Sequence, residues 1–346
     1  MSEIDLFNKF CNERNIRKST KTGYRVALES YTQYQETRLD ELINEALLDE
    51  KNNIPLRERR IKNRLLSYRN HLLSSDASTN TVKTYFTKVK TFYRHFMIEI
   101  PLLPDVKYDQ GYVTNYHDLP TREDIQVIID SVDVELRSII LFMSSSGTAK
   151  AETLSLTVRD FIEGCRDYYN LNLRDLHDIL IELSRRDDIV PTFYLRRVKT
   201  DKFYYTFCSP EASSEIVKYL RSRPGLSYDD KLFDIKPSTL LTRFQEINDR
   251  MGWGFKGKYR FFRTHTLRKY HASNIGLSAE YIDALQGRSK NSIHETYIKT
   301  NPIKLKEIYM DHMMNVMINN PGRKEVHQEF TIVVNVFLSG KEYNIY

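Results

Sequence analysis

Between Arg263 and Tyr297 the sequence reads RTHTLRKYHASNIGLSAEYIDALQGRSKNSIHETY. Residues 264–276 hold no proline and a single glycine, at the end. A helix is therefore expected there, with His265 and Arg268, three residues apart, on one face. Ser278 suits the N-cap of a second helix running to Gln286, and Gly287 stands where a helix end favours glycine. Arg288 thus emerges at a helix terminus, and Tyr297 follows nine residues later. An arginine offers two parallel hydrogen bonds to the non-bridging oxygens of a phosphate, a histidine adds a donor, and a tyrosine hydroxyl can attack phosphorus to form a covalent bond. The set reads as phosphate chemistry.

His265-Thr266-Leu267-Arg268, Gly287-Arg288 and Tyr297 resemble the His-x-x-Arg, Gly-His/Arg and nucleophilic Tyr boxes of the tyrosine recombinases, the phage-integrase family. Arg rather than His after the glycine is most similar to the integrases of archaea and archaeal viruses. Residues 144–156, SSSGTAKAETLSL, resemble the family's first box, a Gly-rich turn leading to Arg, then Glu, then a Leu-x-Leu helix. Here the sequence departs from the pattern, because the two positions open to that arginine are Ala149 and Lys150. Lys150 is the expected occupant, keeping the charge but losing the planar fork.

The resemblance implies a mainly α fold with a small β-sheet, in which an N-terminal helical core-binding domain and an α+β catalytic domain close as a clamp round DNA. It implies a site-specific recombinase that cuts and rejoins DNA through a 3′-phosphotyrosine on Tyr297. Arg268, His265, Arg288 and Lys150 would hold the phosphate, Glu152 would orient cations from behind, and Lys199 on a β-turn would protonate the leaving 5′-oxygen. Double-stranded attachment sites would be the partner, held by a homo-oligomer, a tetramer in synapsis, in a prokaryotic cytoplasm. No cofactor and no metal are called for, since the phosphotyrosine conserves the bond energy, and the chain has no P-loop motif and no two-metal Asp/Glu cluster. Lys269, His271 and His294 read as structural neighbours of the boxes. A type IB topoisomerase-like strand transferase, a DNA-binding protein impaired by the missing arginine, and an unrelated helical interaction protein are the competing readings.

The 346 residues suffice for two domains with real cores, and 40% hydrophobic with 28% charged residues is an ordinary globular balance. The formal net charge of +6 is unevenly spread. From Pro55 to His95 the only acids are Glu58 and Asp76, against Arg57, Arg60, Lys62, Arg64, Lys83, Lys88, Lys90 and Arg94 among others. From Gly254 to His271 the cations Lys256, Lys258, Arg260 and Arg263 precede the His-x-x-Arg box with no acid among them. Both stretches are expected to meet DNA phosphates. Cys11, Cys165 and Cys208 are widely spaced and suggest neither a disulfide framework nor a zinc site. No apolar run approaches the ~20 residues of a membrane span, so no membrane partner is expected.

Helical periodicity divides the chain into a helical domain at 1–103, a Pro-containing linker at 104–120, a catalytic domain at 121–318 and a tail at 319–346. In the first domain Ser19 or Thr20 is expected to cap the second helix, Pro55 to open the fourth and Asn80 to cap the fifth. Leu171 to Arg186 reads as a long amphipathic helix, and Thr192–Val198 with Phe203–Cys208 as a hairpin with a basic tip. The apolar run Glu329–Leu338 is expected either to pack on that hairpin or to dock on a neighbouring protomer.

Overall fold

A computed structural model describes residues 2–106, 115–197, 199, 201–288, 301–319, 335–338 and 341–344. The chain forms two compact units, 1–113 and 114–346, and is mostly helical with small two-stranded sheets.

The first unit is built from α1 (Glu3–Glu13), α2 (Lys18–Gln35), α3 (Leu39–Lys51), α4 (Arg60–Ser74) and α5 (Thr79–His95). Each puts an apolar stripe inward, and Phe10, Tyr31, Leu65, Tyr68, Val89 and Phe92 are fully buried at the centre. The Tyr31 and Tyr93 hydroxyls bond each other at 3.0 Å inside this core. Three expected starts move. α2 begins at Lys18 without a side-chain cap, and the cap of α5 is Ser78, whose hydroxyl accepts from the Thr81 N–H at 3.1 Å. Pro55 lies in a turn, and α4 opens five residues later because its cap comes from another helix. The buried Asp49 carboxylate, on α3, accepts the Arg60 backbone N–H at 2.8 Å and the Arg60 guanidinium at 2.6 and 2.9 Å. No local pattern could announce a cap brought in from eleven residues upstream.

The second unit begins with α6 (Arg122–Ser131), opened by Thr121 and Asp124 in a reciprocal capping box. Next come α7 (Val134–Ser146), α8 (Lys150–Thr153), α9 (Val158–Gly164) and α10 (Leu176–Leu183). α10 is half the expected length because Asp175 caps it, accepting from the His177 and Asp178 N–H groups. β1 (Thr192–Arg197) and β2 (Lys202–Phe207) form an antiparallel hairpin whose register sets Leu195 opposite Tyr204 and Arg197 opposite Lys202. Then follow α11 (Pro210–Arg221), α12 (Pro237–Arg250), a short hairpin of β3 (Phe255–Lys256) and β4 (Tyr259–Arg260), α13 (Thr264–Asn274), α14 (Ala279–Leu285) and α15 (Pro302–His312). α7 is the axis of this unit: its residues Leu136 to Ser146 are almost all buried, and α11 and α13 pack on it. β5 (Asn335–Leu338) pairs antiparallel with β6 (Lys341–Asn344). The tail strand is thus half of a hairpin of its own, an outcome the alternation of apolar residues did not reveal.

Replacing Asp49 by alanine removes an N-terminal cap and strands a guanidinium and a backbone N–H, and should lower stability by about 2 kcal/mol. Urea unfolding followed by circular dichroism measures this, and a loss under about 0.5 kcal/mol would show that water replaces the carboxylate without cost.

Candidate active site

The site is built on the C-terminal turn of α14. Gly287 adopts a left-handed conformation with φ +61°, its N–H donates to the Ala284 carbonyl at 3.1 Å, and the Arg288 N–H donates to the Asp283 carbonyl at 2.7 Å. This paired arrangement ends a helix and turns the chain away sharply. Glycine is required twice over, because an added Cβ would also lie 2.5 Å from the Tyr204 ring.

A helix end leaves carbonyls unpaired and carries negative partial charge, which favours cations. Two arginines use this. Arg268 on α13, only 3% exposed, donates from Nη2 to the Gln286 carbonyl at 2.6 Å and from Nη1 to the Gly147 carbonyl at 2.8 Å. Arg197, the last residue of β1, donates from Nη1 to the Gly287 carbonyl at 2.6 Å. Gly147 caps α7 at φ +66° and packs so closely that a Cβ would lie 2.6 Å from His271 Nδ1. The buried Gln286 amide donates to the Arg268 carbonyl at 3.1 Å and to His271 Nδ1 at 2.9 Å, which makes Nδ1 the acceptor and leaves the imidazole proton on Nε2. The ends of α7 and α14 are thereby locked around the Arg268 guanidinium, and the end of β1 is tied to the same turn by Arg197.

His265 keeps an exposed edge on the first turn of α13. With Lys269 and Arg288 it lines an open pocket of about 380 Å³, closed on its other side by Asn115, Tyr116 and Leu119. Partial desolvation lowers its imidazole to about 4, and the neighbouring charges of Arg263, Lys269, Arg268 and Arg288 push the same way. His265 is therefore neutral near pH 7. Burial lowers Arg268 to about 10, with Arg288 and Arg197 adding repulsion and Tyr204 and Glu152 opposing it. Arg288 is half-buried, lies 4.0 Å from the Asp283 carboxylate, and is lowered first by desolvation.

Lys150 is the first residue of α8, half-buried, and Glu152 two residues on is buried with its Oε2 lacking a hydrogen-bond partner among the described residues. The Glu152 charge reaches both Arg268 and Tyr204, and burial together with that charge raises the Tyr204 phenol. Lys199 is exposed on the β1–β2 turn. Tyr297 and His294 lie outside the described residues. Arg197 and Gln286 escaped the sequence reading because their places follow from tertiary hydrogen bonds, and Tyr204 because its ring is placed by packing on Gly287; the one available signal was Arg197, two residues before Lys199. His271, read as structural, is fully buried.

The basic stretches need correction. Counting acids only within each stretch overlooked those from other elements. Arg60 is bound to Asp49, and Arg64 forks onto Glu45 at 2.8 and 2.9 Å. Arg260 pairs with Asp249 at 3.0 Å, and Lys256 lies 3.9 Å from Asp118. Arg57 pairs with Glu58 on the surface. Lys88 lies over the Tyr24 ring, Lys90 over Phe86, and Arg263 over Tyr259 at 4.2 Å. Lys62 is half-buried, whereas Lys83, Arg94 and Lys258 are exposed.

No family model and no curated protein sequence matches the chain. Solved structures do, and the fold they share with it is that of the tyrosine recombinases. One is a lambda integrase fragment, residues 75–356, crystallised as a dimer bound to a COC′ core site: 12% identical, covering 84% of this chain and 95% of that one, with a TM-score of 0.53. Another is a lambda integrase tetramer bound to a Holliday junction, 13% identical over 84% of this chain and 77% of that one, with a TM-score of 0.50. Among the described residues no helix is long and apolar enough to cross a membrane.

Two outcomes follow from the locked turn. Gly287→Ala should destabilise the second unit by roughly 2 kcal/mol or more, combining a left-handed backbone with a ring contact; a melting temperature unchanged within one degree would contradict the packing. Burial lowers His271 to about 3, with Arg268 and Arg288 adding to the effect. Its unfolded form binds a proton near pH 6.5 and the folded form does not. Stability is thus full above that pH and falls on acidification towards 3, by up to about 1.4 kcal/mol per pH unit. His271→Met should flatten this slope relative to wild type in denaturant titrations between pH 6.5 and 4, and equal slopes would show that the imidazole protonates freely.

Proposed function

We propose that the chain is a site-specific DNA recombinase of the tyrosine-recombinase type, cutting and rejoining strands through a phosphotyrosine. The observation that carries this is the convergence of Arg268, Arg288 and His265 around the end of α14 in a fold shared with such enzymes. The Tyr297 hydroxyl attacks the scissile phosphorus, a P–O bond forms to the phenol, and the bond to the 5′-oxygen breaks. Lys199 delivers a proton to that oxygen, and the phenol's proton goes to solvent or to a neutral imidazole. Attack by the 5′-hydroxyl of a partner strand reverses the step, so neither ATP nor a metal enters it. Arg268, Arg288 and Lys150 stabilise the charge that grows on the non-bridging oxygens, and neutral His265 donates a hydrogen bond. Glu152 holds the cations from behind.

In this reading the partners are double-stranded attachment sites held by a homo-oligomer, a tetramer in synapsis, within a prokaryotic cytoplasm. The Gly287-Arg288 spelling is what supports reading the chain as similar to archaeal and viral integrases. Exposed Lys83, Arg94 and Lys258 are the first candidates for contacts to the DNA backbone, and the paired Arg60, Arg64 and Arg260 would have to exchange a carboxylate for a phosphate. The first-box lysine favours a second reading, a DNA-binding protein with impaired cleavage.

A duplex nicked beside the cleavage point, so that the released fragment diffuses away, separates the two. The recombinase reading predicts a covalent protein–DNA adduct that Tyr297→Phe abolishes and that Lys150→Arg forms about ten to a hundred times faster. Salt-sensitive binding with no adduct would overturn it in favour of the impaired protein.

A further inference from the structure

The reaction just described leaves one guanidinium at the turn without a task. Arg197 ends β1 and holds the Gly287 carbonyl, while Arg268, from α13, holds the carbonyl of Gln286 immediately before it. The next residue is Arg288. Three consecutive residues of one turn therefore gather three guanidinium groups from three different elements. A carbonyl can be held as well by a lysine or a glutamine, so the hydrogen bond alone does not call for this side chain. Arginine brings a planar fork of five N–H donors, of which the Gly287 bond takes one.

Electrostatics points the same way. Arg197 weakens the hold of both Arg268 and Arg288 on their protons, so the cluster is assembled against like-charge repulsion in a partly desolvated place. An oxyanion seated among the three would turn that repulsion into attraction. α8, which opens with Lys150, packs against β1, and Lys150 is a point charge where the resemblance calls for a fork.

We propose that Arg197 supplies to the scissile phosphate the planar guanidinium contact that Lys150 cannot make, while fixing through Gly287 the turn that carries Arg288. This inference rests on the strand-transfer reading and adds to it a residue that the recombinase boxes do not include. Arg197 is then both a phosphate ligand and a positioning residue, and its loss is coupled to the identity of residue 150.

The test compares single-turnover cleavage of the nicked duplex by the full chain, Arg197→Lys, Arg197→Gln, Lys150→Arg and the Lys150→Arg/Arg197→Lys double variant. All are measured at a temperature where circular dichroism shows every one of them folded. Arg197→Lys keeps the charge and can still hold Gly287, yet it should cleave about a hundredfold more slowly, with DNA affinity within about threefold of wild type because only one of many phosphate contacts is altered. Arg197→Gln should lose at least as much. Restoring a fork at residue 150 should accelerate Arg197→Lys at least about tenfold more than Lys150→Arg accelerates the wild-type chain. Cleavage by Arg197→Lys at the wild-type rate would overturn the proposal, as would effects at the two positions that simply multiply. Absence of any Tyr297-dependent adduct with the wild-type chain would instead bring down the strand-transfer reading itself.

Discussion

The second unit depends on a buried guanidinium bridging two chain ends. Arg268 spans from the carbonyl that closes α7 to the carbonyl that closes α14, and the two bonds together call for a forked side chain. Burying a cation is costly unless its donors are met by acceptors. Here the acceptors are the orphan carbonyls that every helix end must dispose of. One arrangement thus answers two needs, and it does so only if Gly147 and Gly287 adopt left-handed conformations and stay bare of side chains. The buried Gln286 and His271 complete the lock, and a fixed tautomer on His271 is its consequence.

That lock decides what the surface above it can do. Arg288 leaves the turn half-buried, and His265 stands beside it in the open pocket, its imidazole lowered first by partial desolvation and then by the cations around it. Guanidinium groups held close together, partly dry and incompletely matched by carboxylates, favour an anion over any neutral ligand. The cluster lies in the second unit of a chain whose fold is that of the tyrosine recombinases. Part of the positive charge elsewhere serves the fold: Arg59, Arg60 and Arg64 are engaged with Glu50, Asp49 and Glu45 inside the helical unit.

Local chemistry was legible in the sequence and long-range pairing was not. The hairpin at 192–207 and the Gly287 helix end each rest on a few adjacent residues, and each stands where the pattern put it. The start of α4 did not, because its cap is Asp49 on another helix. The His265, Arg268 and Arg288 set was visible because its spacing is written into two neighbouring helices. Arg197, Tyr204 and Gln286 reach the same place from a strand, a strand and a helix end, and no periodicity links them. Charge counting failed for the same reason, since the acids that answer Arg60 and Arg260 lie outside the windows being counted. The tail's apolar strand was legible as a strand, but its partner, β6, was not.

The central claim is that these cations act together to neutralise one phosphodiester. It is tested most directly by cleavage of a duplex in which the single scissile phosphate is replaced by an uncharged methylphosphonate, comparing the wild-type chain with Arg288→Ala. If the guanidinium serves to balance oxyanion charge, the defect of Arg288→Ala on ordinary DNA should shrink by at least about tenfold on the neutral linkage. A defect of equal size on both substrates would mean that Arg288 acts on something other than the charge of the phosphate, and the account would be wrong.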